Sequence, residues 1–128
     1  MASIITKITE FFRTERKEPR FPAFGNFPGC FKNKQGQEFS AIPVDISAGG
    51  LGILIDPTPI AKEIITLCFD KENQTYNIDF KVVHVSASTV RPVNSLEKMR
   101  RCGLEMQGSE DVNLVTLLSG QDYLMVQE

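Results

Sequence analysis

Two arginines stand four residues apart in Arg16-Lys17-Glu18-Pro19-Arg20, and further along the chain reads Asp45-Ile46-Ser47-Ala48-Gly49-Gly50. Arginine carries a planar fork of donors that pairs bidentately with phosphate oxygens or with the O6/N7 edge of guanine. Two such forks in a non-helical stretch can straddle one compact, doubly charged guanine ligand. Asp45 can accept from the N1–H and the N2 amino group of a guanine, and Ser47 can donate or accept through its hydroxyl. Gly49 and Gly50 let the backbone turn sharply and leave room for a flat base. Each string alone has a plainer explanation. An arginine pair at i, i+4 is equally a solvated helix end. Asp-x-Ser-x-Gly-Gly is equally a turn whose Asp and Ser bond the local backbone. Taken in this order and spacing, the two strings point to a guanine nucleotide carrying phosphates.

Little else in the chain could do chemistry. The single histidine, His84, lies in Val82-Val83-His84-Val85, where strand alternation puts it opposite Val83 and Val85. That is the place of an outward-facing strand residue, not of a catalytic base. No GxSxG, HExxH or GxxxxGK[ST] string occurs. Cys30, Cys68 and Cys102 are odd in number and widely separated, with no CxxC spacing, and read as free thiols in a reducing compartment. The expectation is a binding protein with no catalytic residue, no metal and no cofactor.

The elements that must position these groups are short. The 128 residues suit one domain, with 41% apolar and 23% charged residues, so the core needs no metal or disulfide. Net charge is −2, which argues against nucleic-acid polymers as partners. The charge is uneven. Residues 1–38 carry seven Lys/Arg against four Asp/Glu, and residues 39–128 carry seven against twelve. A local anion site at the N-terminal end is compatible with that asymmetry. No run approaches a transmembrane span and no signal-peptide pattern is visible, so a soluble cytoplasmic protein is expected.

Ile4, Ile5, Ile8, Phe11 and Phe12 follow one helical face, with Ser3 as a cap and Pro19 as the stop. They predict a short amphipathic helix over 4–15, whose stripe faces the parent domain, a dimer mate or another partner, or, least in keeping with its interleaved acids and short length, a membrane surface. Strands are predicted over 21–32 (broken), 38–45, from Leu51, 63–69, 75–87 and 101–107. Turns are expected at Asn33–Gly36, Ser47–Gly50 and Lys71–Asn73, and Pro43 implies an edge or a bulge. Residues 88–98 read as a polar loop. Ser109 is a candidate N-cap for a helix over 110–119, with Tyr123, Leu124 and Val126 as a short extension. Roughly six closely spaced strands with Gly/Pro turns indicate a mainly β domain, either a small barrel or a sandwich.

At this point the chain resembles the PilZ family of cyclic di-GMP receptors. The family pattern is RxxxR followed by [D/N]xSxxG, and Arg16, Arg20, Asp45, Ser47 and Gly50 match all five positions. Gly49-Gly50-Leu51-Gly52-Ile53 and Arg101-Cys102-Gly103-Leu104-Glu105-Met106 are further likenesses, and the whole extends over about 15–120. The resemblance implies a six-stranded antiparallel β-barrel over 16–128 with a C-terminal helix, preceded by the amphipathic helix at 1–15. It implies a bacterial protein that binds cyclic di-GMP across the barrel surface. Arg16 and Arg20 would grip phosphates and guanine edges, Asp45 and Ser47 would hold a guanine, and Gly50 would keep the turn clear. Such a receptor signals to a downstream protein by drawing the lead-in, and the helix before it, onto the barrel. A homodimer and a PilZ-like interaction module that binds no ligand are the other readings.

Overall fold

The computed structural model describes residues 19–92, 98–108, 112–120 and 124–126. The expected helix over 4–15, Arg16 and Ser109 lie outside them. Eight strands are described: β1 Phe21–Gly25, β2 Cys30–Asn33, β3 Glu38–Ile46, β4 Gly50–Asp56, β5 Ile64–Lys71, β6 Gln74–Val90, β7 Met99–Met106 and β8 Leu124–Val126. One short helix, α1, covers Leu114–Leu118.

The strands run in the order β2-β5-β6-β7-β4-β3, and β2 also pairs with β3. The six therefore close into an antiparallel barrel, which decides against the sandwich. β1 pairs with the far end of β3 through Phe21 and Pro22, and β8 adds to β1. Alternation fills the interior. Phe31, Phe39, Ile46, Leu51, Ile53, Ile55, Ile65, Leu67, Phe80, Val82 and Leu104 are buried, and most of their strand neighbours face outward or lie half-buried, except at the start of β4, where Gly50 and Gly52 are buried too. Closing the sheet removes the unpaired edges that a six-stranded sheet would otherwise present.

The turns form where expected. Asn33 accepts from the backbone of Gly36 and, through its side chain, from those of Gln35 and Gln37. Glu72 and Asn73 take positive φ between β5 and β6. Pro43 sits at a bulge: Pro43 faces Ile53 and Asp45 faces Gly52, leaving Val44 as the extra residue.

Three expectations fail. Residues 88–90 are strand, because Thr89 and Val90 pair with Arg100 and Met99. The irregular part lies just before, where Ser86 and Ala87 turn their carbonyls to the Arg100 guanidinium instead of the ladder. The C-terminal helix is only Leu114–Leu118, capped by Asn113, whose side chain accepts from Val115 and Thr116. Finally, Leu124–Val126 extends no helix. It is β8, because Leu124 is buried and the segment pairs with β1. Among the described residues no helix is long and apolar enough to cross a membrane.

Candidate functional site

β3 ends on Asp45 and Ile46, the chain turns through Ser47-Ala48-Gly49, and β4 begins at Gly50. The turn is held from four sides. Ser47 N–H donates to the Gly50 carbonyl at 3.0 Å, and Met106 N–H from β7 donates to that of Gly49 at 2.9 Å. Leu114 N–H, the first of α1, donates to Ala48 at 2.9 Å. Ile46 and Leu51 anchor both arms in the core. The polar groups thus sit on a backbone with little freedom to yield.

The Val44 bulge aims Asp45 outward across β4. A Cβ at Gly52 would stand 2.5 Å from Asp45 Oδ1, so the carboxylate lies in the space that only glycine leaves. Arg20, immediately before β1, reaches this carboxylate: Nη2 donates to Oδ1 at 2.6 Å and Nε to the same oxygen at 3.1 Å. Its Nη1 donates to Ser47 Oγ at 3.3 Å. Gly50 lets this happen, since a Cβ there would meet the Leu104 carbonyl at 3.0 Å and Arg20 Nη1 at 3.4 Å. The other oxygen, Oδ2, accepts from Arg101 Nη2 on β7 at 3.1 Å.

Four of the five predicted residues, Arg20, Asp45, Ser47 and Gly50, therefore meet at one place; Arg16 lies outside the described residues. Arg20 and Asp45 line a groove of about 350 Å³, together with Leu51, Val83, His84 and Arg101, while Ser47 and Gly50 stand behind Arg20 and outside the lining. That is at the small end of ligand sites, enough for a base but not for a dinucleotide, most of which would lie on the open surface.

The cluster sets two guanidinium groups against one carboxylate, leaving one positive charge in excess among the three. Arg101, 53% exposed at its side chain, keeps most of its donors for a ligand, whereas Arg20 is 20% exposed and already oriented. Burial pushes up the thiol pKa of Cys102, which also lines the groove, and nearby Arg100 only partly opposes that, so the thiolate is disfavoured there.

Arg101, Gly52 and His84 are additions that the motif does not name. Arg101 reaches Asp45 across two strand pairings, a contact no local spacing signals. Gly52 was visible only as one glycine in a rich run. His84 faces outward as expected, but for another reason. At a bulge Val82 pairs with Leu104 and His84 with Gly103, so Val83 and His84 are both exposed and alternation breaks.

Comparison with protein families matches the PilZ domain over residues 14–119. Among solved structures, the chain is similar to the PilZ domain with c-di-GMP of YcgR from Escherichia coli. That likeness has 16% sequence identity and a TM-score of 0.50, over 76% of this chain and 81% of that one, and it is a likeness of fold. Comparison with curated protein sequences finds no match.

Proposed function

Because the chain belongs to the PilZ domain family, we propose that it is a receptor for cyclic di-GMP that binds through Arg16, Arg20, Asp45, Ser47 and Gly50. The observation that carries this reading is the Arg20–Asp45–Ser47 cluster. Groups 25 and 27 residues apart converge on a rigid turn beside a base-sized groove. The similar YcgR domain is described with the same dinucleotide.

Binding exchanges partners. A ligand phosphate or guanine edge takes the donors of Arg20 and Arg101, and the guanine N1–H and N2 amino group take the place of those donors on Asp45. The charge of each side chain is met before and after, so the exchange costs little desolvation. Arg16 completes the grip from the lead-in. Since that lead-in follows residues 4–15 directly, a ligand held by both Arg16 and the barrel repositions them. This exposes or covers the Ile4/Ile5/Ile8/Phe11/Phe12 stripe to a downstream protein partner in the cytoplasm. Saturating cyclic di-GMP should change amide exchange within residues 1–20; unchanged exchange there overturns the coupling.

Titration calorimetry and thermal shift with cyclic di-GMP, against GMP and GTP, test the binding itself. Only the cyclic dinucleotide should raise the melting temperature, by about 2.7 kcal/mol of stability at a hundred times Kd. Arg20→Ala should weaken binding about ten- to a hundred-fold, the worth of one charge-assisted hydrogen-bonded contact. Arg101→Ala should cost only about two- to fivefold, because its exposed head is screened by solvent. A second reading draws on the same ion pairs. Both Asp45 oxygens are engaged by arginines, as they would be in a structural clasp of a module that binds no ligand. In that case no nucleotide shifts the melting temperature, while Arg20→Ala still lowers it.

A further inference from the structure

On the opposite side of the barrel from this groove β2 pairs with β5, and Cys30 and Cys68 are direct cross-strand partners there. Both lie on the outer face. Cys30 is exposed and Cys68 half-buried, while their neighbours Phe31, Leu67 and Phe69 point into the core. Directly opposed residues of an antiparallel pair have Cα atoms about 4.5–5.5 Å apart. A disulfide needs about 4.4–6.8 Å, so the register alone brings these thiols within bonding range. The approach is also tight. A Cβ at Gly29 would collide with the carbonyl oxygen of Cys68, so the start of β2 is pressed onto β5 where the pair sits. The third thiol, Cys102, is buried under β7 and has no such partner in register.

We propose that Cys30 and Cys68 form a reversible dithiol–disulfide clasp between β2 and β5, with a hydroperoxide as oxidant. In the first step the Cys30 thiolate, the more accessible, attacks one peroxide oxygen. The O–O bond breaks, Cys30 becomes a sulfenic acid and hydroxide leaves. In the second, the Cys68 thiolate attacks the sulfenic sulfur, the S–S bond forms, and the sulfenic hydroxyl departs as water after taking up a proton. Two electrons leave the two sulfurs and reduce one peroxide to two waters. A dithiol reductant reverses the step by exchange. The bond joins β2, the shortest strand of the ring, covalently to β5, on the side away from its short pairing with β3.

The test uses the full chain and hydrogen peroxide. After brief oxidation, denaturation and alkylation, intact mass spectrometry should show a monomer two hydrogens lighter with one thiol left to alkylate. Peptide mapping should place the link between Cys30 and Cys68, and dithiothreitol should restore three alkylatable thiols. Amide exchange in residues 30–33 should slow in the oxidised protein. Cys30→Ser and Cys68→Ser, both on the outer face and tolerant of a hydroxyl, should each give no intramolecular link. A covalent dimer through Cys30, over-oxidation of Cys30 with Cys68 still alkylatable, or a link that involves Cys102 would each overturn the proposal. So would unchanged exchange in β2.

Discussion

Asp45 owes its position to two residues that offer it no polar side chain. Val44, by bulging, turns the carboxylate outward, and Gly52 leaves the space beneath it. Gly52→Ala puts a methyl 2.5 Å from Oδ1, too close by about an ångström, so the carboxylate must swing away from Arg20. Affinity for cyclic di-GMP should fall about tenfold or more, with the far-ultraviolet circular dichroism unchanged; titration calorimetry reads it. Cys102 makes a separate residue-scale prediction. Burial raises its pKa above the unfolded value, so the folded state holds the thiol proton more tightly. That stabilisation is complete below the unfolded pKa and is lost as pH climbs through the folded one. Stability measured by urea unfolding should therefore fall more steeply above about pH 9 for the parent protein than for Cys102→Ala.

Among the elements, α1 does more than its five residues suggest. It is too short to persist alone, and two things hold it. Leu114 and Leu118 are buried, and Lys71 from the end of β5 donates to the Leu117 carbonyl at 2.7 Å, which satisfies an orphan group at the helix end. Its first amide in turn supports the Ala48 carbonyl of the binding turn. Asn113→Ala removes the cap and should cost about 1 kcal/mol in urea unfolding. Hydrogen exchange should rise at Leu114 and, through it, in residues 47–50. A loss of stability with no change in that turn would separate the helix from the site.

At the scale of the whole molecule, the barrel is closed by β2, and β2 is anchored by Phe31. Phe31 is 1% exposed, meets Phe27 edge-on at 5.0 Å between ring centroids, and lies 6.1 Å from Phe80. Phe31→Ala should destabilise by about 3–5 kcal/mol, from lost burial and the cavity left behind. Where that variant remains folded in urea titrations, its affinity for cyclic di-GMP should be nearly that of the parent. The groove is built on β3, β4, β6 and β7, away from β2. A loss of affinity larger than the unfolded fraction explains would mean the two faces are coupled.

What could be read from residue order was local or periodic. Five of the strands follow from alternation and turn chemistry, as in Asn33–Gly36 and Lys71–Asn73, because those patterns act over a few residues. The motif Asp45-x-Ser47-x-x-Gly50 was legible for the same reason. The misjudged places were set by distant partners. Residues 88–90 join β6 because β7 pairs with them, Leu124–Val126 becomes a strand because β1 is there to receive it, and α1 starts at Leu114, whose amide meets the Ala48 carbonyl. Arg101 belongs to the site because the β3–β4 and β4–β7 pairings bring it to Asp45 from 56 residues away. Propensity can specify how a segment bends, but which segments meet is decided by closure of the ring, and closure depends on every strand at once.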